Sequence, residues 1–168
     1  MSTIQKHLNE NPDVAAGRES QQQAASLVTR REHDELLTAI HRFEAALASP
    51  APSREPQWQA RAASDLDEVQ SLLDAHRLSA ESADGLFAEL ELANPGIAAR
   101  VTELRAEHLR LQEVAARLQR GLSSNERGCD YASLRQEAAN FLTMLRTHYA
   151  KEVDLIFECF WTDIGVGD

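Results

Sequence analysis

The sequence predicts an all-α protein, folded as an antiparallel up-down-up-down four-helix bundle with a short extra helix between helices two and three. First, apolar residues recur every three or four positions along four long segments, which is the pattern of one buried helix face. Second, the 168 residues are rich in Ala, Leu, Glu, Arg and Gln, and only 5% are aromatic, which favours helices over strands. Third, the connections are fairly short, as expected between antiparallel neighbours.

The apolar pattern gives the extent of each predicted helix. The third helix illustrates it, with a stripe formed by Ile97, Val101, Leu104, His108, Leu111, Ala115, Leu118 and Leu122. Read in the same way, the long helices are predicted at residues 22–47, 57–81, 96–122 and 130–161, and the short helix at 86–92.

Helix-breaking residues separate these segments. Ser-Pro-Ala-Pro at 49–52 ends the first helix, because proline removes a backbone donor and fixes the backbone. The segment 81–85 interrupts the apolar pattern of the second helix. Asn-Pro-Gly at 94–96 is a turn signal before the third helix. The polar segment 123–128 separates helices three and four, and Asp130 is the expected N-cap of the last helix.

One domain accounts for most of the chain, since this length suits a single hydrophobic core. Residues 1–20 are polar, contain Pro12 and Gly17, and show no sustained period, so we expect a mobile N-terminal tail. Residues 21–165 are then the bundle, followed by a short tail that contains glycines.

Charge and composition exclude several classes of protein. The formal net charge of -10 disfavours general binding to nucleic acid or to anionic membranes. The chain contains no run of 18 apolar residues, so we expect no membrane span. The N-terminus lacks the apolar core of a signal peptide. We therefore expect a cytoplasmic protein in which Cys129 and Cys159 are reduced. The chain has no Ser/His/Asp order or glycine-rich phosphate loop, which favours a non-enzymatic role. The sequence is compatible with a homodimer and does not require one.

Four histidines, one on each long helix, lie within the apolar stripes: His33, His76, His108 and His148. Each should therefore point towards the centre of the bundle. At 1.5 Å rise per residue, their predicted levels along the bundle differ by about 8 Å, which is compatible with one layer. The four imidazoles are expected to converge.

Glu152 lies one helical turn after His148 and shares its inward face. A buried carboxylate without a partner costs several kcal/mol, so such a group needs hydrogen bonds or a cation. A metal ion would meet this need. Alternatively, the inward groups are satisfied by one another and by water.

Four sequence segments carry a resemblance to a known family. They are REHDELL around His33, LLDAHRLSAE around His76, LRAEHLRL around His108 and LRTHYAKEVDLIFE around His148. Over residues 24–165 the chain resembles hemerythrin-like (HHE cation-binding) domains, and the ending DLIFECFWTDIGVGD resembles a bacterial subgroup of them. The resemblance implies a four-helix bundle that holds a non-haem di-iron centre, with the four histidines and Glu152 as ligands.

The sequence departs from the family pattern at two positions. The family's second helix carries His-x-x-x-Glu, but the fourth residue after His76 is Ala80. Glu81 follows it, rotated by about 100° on an ideal helix, and reaches the site only if the break after it distorts the helix. Gln112 replaces a second histidine of the third helix. The predicted metal ligands are His33, His76, Glu81, His108, His148 and Glu152.

Three functions follow from these observations. The first is a non-haem iron protein, with one iron or two, that binds or senses dioxygen, nitric oxide or peroxide. The second is a metal-free scaffold that acts as an interaction or regulatory module. The third is a mononuclear zinc bundle that uses three histidines.

Overall fold

The computed structural model describes residues 12–49, 55–124 and 130–160, and side chains from residue 30 onwards. Its elements are α1 (Pro12–Ala48), α2 (Glu55–Ala80), α3 (Leu86–Ala93), a 3₁₀ turn (Pro95–Ile97), α4 (Ala98–Ser123) and α5 (Tyr131–Phe160). The described residues form no strand, which confirms the all-α prediction. None of the described helices combines the length and the hydropathy needed to cross a membrane.

The four long helices form an antiparallel bundle in which consecutive helices pack together. Contacts at one end establish the helix directions. Trp58, near the start of α2, donates its indole N–H to the carbonyl of Ala46 at the end of α1 (2.9 Å) and contacts Tyr131 at the start of α5. Gln59 bonds the carbonyl of Ser124, just after α4 (2.8 Å). Helix ends and helix starts therefore alternate, as the up-down-up-down prediction requires.

The first helix begins earlier than the apolar pattern indicates. The sequence predicts a start near residue 22, whereas α1 starts at Pro12, so residues 12–20 are helical and not part of an irregular tail. Proline is tolerated at a first helical position because its missing N–H would have no partner there. The rest of the expected tail, residues 1–11, lies outside the described residues, as do 50–54, 125–129 and the ending 161–168.

The other boundaries agree with the prediction to within two residues. Asp130 caps α5 as expected, because its Oδ1 accepts hydrogen bonds from the backbone N–H groups of Ala132 (3.1 Å) and Ser133 (3.0 Å). Asn94 closes the turn before α4 by accepting a hydrogen bond from the N–H of Gly96 (3.0 Å).

Two clusters of buried apolar side chains fill the bundle. The larger contains residues of α1, α2, α4 and α5, among them Phe43, Leu66 and Phe141. The smaller lies at the other end, where α3 packs across the bundle, and includes Phe87 and Leu155, with Cys159 partly buried against it. The four stripe histidines and Glu152 belong to neither cluster and occupy the layer between them.

Gly85 allows α3 to turn closely against the end of α2. A Cβ atom at this position would lie 2.2 Å from the carbonyl oxygen of Ser79 and 2.8 Å from that of Ala80. Backbone atoms cannot move away without disturbing α2. The tight turn therefore requires the space that glycine provides.

We expect Gly85→Ala to lower the free energy of unfolding by about 2 kcal/mol and Tm by about 4–8 °C, because the helix end must shift. Thermal and urea unfolding measure this effect. Gly96→Ala is the matched control, since its Cβ would meet only the side-chain oxygen of Asn94, at 3.1 Å. Equal Tm values for the two variants would contradict the crowding argument.

Candidate metal centre

Each long helix contributes a buried polar side chain to one layer of the bundle. Their exposed fractions are 4% for His33, 2% for His76, 0% for His108, 3% for His148 and 1% for Glu152. We call these five residues the histidine–glutamate centre. They are buried because each replaces an apolar residue of its stripe, as in α4, where His108 lies between the buried Leu104 and Leu111.

The carboxylate of Glu152 is the common neighbour of all four imidazoles. The Nε2 atom of His33 lies 3.2 Å from Oε2, and that of His76 lies 3.1 Å from both oxygens. The Nε2 atoms of His148 and His108 lie 3.4 Å and 3.6 Å from Oε1. The predicted convergence of the histidines is therefore observed, with every Nε2 atom directed towards one carboxylate.

The rings themselves are in contact around this carboxylate. Ring centroids are 4.9 Å apart for His33 and His76, 5.4 Å for His76 and His108, and 4.5 Å for His108 and His148. His33 also meets the ring of Tyr149 edge-on at 4.5 Å. The levels predicted from the sequence differed by about 8 Å; in the folded bundle the four rings form one contiguous layer.

Carboxylates also lie at the outer nitrogens of three of the histidines. Glu81 Oε1 is 2.8 Å from Nδ1 of His108, and Glu107 Oε2 is 3.1 Å from Nδ1 of His148. Glu32 Oε2 is 3.7 Å from Nδ1 of His76, which is beyond hydrogen-bond distance.

Glu81 is thus not brought into the centre with the other predicted ligands. Its backbone N–H still bonds the carbonyl of Arg77 (3.0 Å), so the helical path continues through Glu81 and its side chain stays rotated towards α4. Ala80 takes the inward position and packs in the smaller apolar cluster. Gln112, the other departure from the family pattern, bonds Asp74 at the surface.

The pKa of Glu152 shows that its imidazole neighbours outweigh its burial. Burial alone would raise this pKa, but the hydrogen-bonded imidazoles of His33 and His76 help to hold it well below its ordinary value. The carboxyl group is therefore ionised at neutral pH and places a full negative charge in the middle of the bundle.

The pKa values of two histidines move in opposite directions. Burial would lower the pKa of His76, but the charges of Glu152 and Glu32 outweigh it and raise that pKa. Burial, and then the neighbouring His148, lower the pKa of His108 to about 4, against the smaller effect of Glu81. His108 is therefore neutral at pH 7, the form in which an imidazole can coordinate a metal.

Three buried nitrogen atoms of the centre lack hydrogen-bond partners among the described residues: Nδ1 of His76, on its outer side, and Nε2 of His108 and of His148, which face Glu152. One nitrogen or oxygen atom from each of His76, His108, His148 and Glu152 lies within 4.8 Å of the others. Buried polar atoms are rarely left unpaired. Unpaired imidazole nitrogens that face an ionised carboxylate fit a bound metal ion.

Sequence reasoning missed the outer carboxylates Glu32 and Glu107. On a helix, neighbouring residues point about 100° apart, so Glu107, next to the inward His108, faces the adjacent α5 instead. Charged residues flank most apolar stripes, so only the packing of α4 on α5 distinguishes Glu107 from an ordinary surface glutamate.

A comparison with protein families agrees with this geometry. A family model of the hemerythrin HHE cation-binding domain matches residues 28–160, a segment that contains all five residues of the centre. Neither the curated proteins nor the solved structures include a significant match to the chain. The match spans most of the 168 residues, and the chain therefore belongs to the family of hemerythrin HHE cation-binding domains.

Proposed function

We propose that the protein binds a non-haem iron ion at the histidine–glutamate centre and through it binds or senses dioxygen, nitric oxide or peroxide. One observation carries the proposal. The buried Nε2 atoms of His108 and His148 lack hydrogen-bond partners and face the ionised carboxylate of Glu152. Glu152 is the one acidic residue of the centre. Membership of a cation-binding family supports the same chemistry.

The ligand set suits iron among other metals, and its charge favours one bound ion over two. Imidazole and carboxylate ligands together suit iron, zinc and manganese. Glu152 is the only carboxylate in the centre, while Glu81 and Glu107 lie at outer nitrogens. A second divalent ion would bring two more positive charges into a buried layer without an inner carboxylate to offset them, which is unfavourable.

Within this proposal the residues have separate tasks. His76, His108, His148 and Glu152 hold the ion, and His33 lies beside them at 3.2 Å from Glu152. The apolar clusters on both sides of the layer keep bulk water out. The iron supplies the affinity for a small ligand.

A cavity of about 260 Å³ offers that ligand a route to the centre. His33 and Tyr149 line it together with apolar residues of α3 and α5, including Val153. Its mixed but mainly apolar wall suits a small neutral molecule. Since His33 belongs to both the cavity wall and the centre, a molecule in the cavity lies next to the layer that would hold iron.

Metal analysis of protein purified from iron-supplemented cells tests the proposal. We expect about one iron per chain, and loss of that iron in His148→Ala. Less than about 0.2 metal per chain, together with no metal uptake by the purified protein, would overturn it. One tightly bound zinc in place of iron would retain the site and reject the gas-binding role.

Filling the cavity should slow ligand entry without affecting metal content. We expect Val153→Trp to lower the association rate of nitric oxide or azide with the iron-loaded protein roughly tenfold, measured by stopped-flow absorption. Leu109→Trp is the control, because Leu109 is exposed and lies outside the cavity wall. An unchanged rate in Val153→Trp would mean that the ligand enters elsewhere.

A metal-free scaffold is the second candidate, and one observation favours it. Glu152 already accepts hydrogen bonds from His33 and His76, so part of the centre is satisfied without metal. The scaffold function predicts that saturating iron or zinc leaves Tm unchanged, whereas the metal-binding function predicts a rise in Tm.

A further inference from the structure

Two outer carboxylates contact the Nδ1 atoms of two histidines of the centre. Glu81, directly after α2, meets Nδ1 of His108 on α4 at 2.8 Å, and Glu107 of α4 meets Nδ1 of His148 on α5 at 3.1 Å. Both are largely shielded from solvent, with 23% and 16% of their side chains exposed. Each carboxylate therefore joins one histidine to a neighbouring helix.

Each outer carboxylate is in turn held by a cation. Arg77, one turn earlier in α2, lies 3.6 Å from Oε2 of Glu81. Lys151 of α5 bonds Oε1 of Glu107. The same order, cation then carboxylate then imidazole, thus occurs twice, and in both cases the free Oε atom remains directed at the histidine.

A carboxylate in contact with Nδ1 determines which ring nitrogen of the imidazole carries the proton. A neutral imidazole has one N–H donor and one acceptor nitrogen, and an ionised carboxylate can only accept. A hydrogen bond from Nδ1 to a carboxylate therefore fixes the proton on Nδ1 and leaves the lone pair on Nε2. His108 and His148, the two histidines with an outer carboxylate in hydrogen-bond contact, are also the two whose Nε2 atoms lack a partner.

We propose that Glu81 and Glu107 are positioning residues that fix His108 and His148 as Nδ1–H tautomers, with both Nε2 lone pairs facing Glu152. The inner side of this half of the centre then consists of acceptors alone, two imidazole nitrogens and a carboxylate oxygen. Such a group is completed by a cation or by a hydrogen-bond donor such as water, and not by another acceptor. This inference rests on the proposed function for its link to metal and assigns Glu81 a role outside the ligand set.

The first test is a measurement on the metal-free wild-type protein. Long-range ¹H–¹⁵N NMR spectra distinguish the tautomers of each histidine ring. We expect His108 and His148 to carry the proton on Nδ1. Protonation of either ring on Nε2 alone would overturn the proposal, and this result needs no variant to fold.

The second test uses Glu81→Gln and Glu107→Gln. A glutamine amide can donate as well as accept, so it permits the other tautomer. We expect each variant to show Nε2–H signal for its own histidine and to bind Zn²⁺ or Fe²⁺ 10- to 100-fold more weakly, the usual effect of losing such an outer partner. Glu103→Gln is the matched control, because Glu103 also bonds Lys151 (3.0 Å) and contacts no histidine among the described residues.

The outcomes separate this inference from the proposed function. Variants that keep wild-type tautomers and bind metal within twofold of wild type would overturn the positioning role, while the iron site would stand. A wild-type protein with Nδ1–H tautomers that takes up neither Zn²⁺ nor Fe²⁺ would support the tautomer assignment and overturn the metal function. Weakened binding in Glu103→Gln equal to that in Glu107→Gln would assign the effect to surface charge and overturn the inference.

Discussion

Glu152→Leu should abolish metal binding, reducing the metal content from about one ion per chain to below about 0.2. The reason is the position of Glu152, whose two carboxylate oxygens are within 3.6 Å of the Nε2 atoms of all four histidines. No other carboxylate of the described residues belongs to the group of potential ligands. Elemental analysis of the purified protein measures the loss.

The same substitution should destabilise the metal-free protein. His33 and His76 each donate to Glu152, and removing one partner of a buried charged pair costs about 3 kcal/mol, which corresponds to about 6–12 °C in Tm. Urea unfolding of metal-free protein measures this change. Glu152→Gln separates the two effects, because the amide oxygen still accepts a hydrogen bond while the negative charge proposed to bind the metal is gone.

Glu137→Gln is the control for both measurements, since it changes an exposed glutamate of the same helix. Metal content and stability should match the wild type. If Glu152→Leu retained one metal ion per chain, the ion would be bound elsewhere, and the histidine–glutamate centre would be a structural hydrogen-bond network.

The sequence predicted best those features that depend on the apolar pattern of one helix at a time. The apolar stripes predict four long helices and place the four histidines and Glu152 inside the bundle, because burial of one helix face follows directly from periodicity. The position of Glu81 was also foreseeable in part. A helix that continues undistorted past His76 leaves Glu81 rotated away from the inward face, and the bond from its N–H to Arg77 confirms that path.

Other features depend on how helices pack and could not be predicted. The contact of Glu107 with His148 joins residues 41 apart in the chain, so it follows from the register of α4 against α5. The early start of α1 at Pro12 escaped prediction because residues 12–20 show no apolar period, so the pattern carries no helix signal there.

Metal binding should raise the stability of the folded protein substantially. An ion that binds only the folded state at 1,000 times its dissociation constant stabilises it by about 4 kcal/mol, equivalent to about 8–16 °C in Tm for a chain of this size. The effect is expected here because the ligands come from α2, α4 and α5, which lie close together only in the folded bundle. Differential scanning calorimetry of metal-loaded and chelator-treated protein measures the shift.

His148→Ala makes this thermal shift specific to the centre. His148 supplies one of the two unpaired Nε2 atoms, so the variant should melt at the same temperature with and without metal. An exposed substitution such as Leu109→Ala should keep the full shift, since Leu109 lies outside the centre. A metal-dependent rise in Tm that persisted in His148→Ala would place the stabilising ion outside the histidine–glutamate centre. The absence of any rise in the wild type would mean that the hydrogen bonds from His33 and His76 already satisfy Glu152, and that the buried layer serves the fold without a metal.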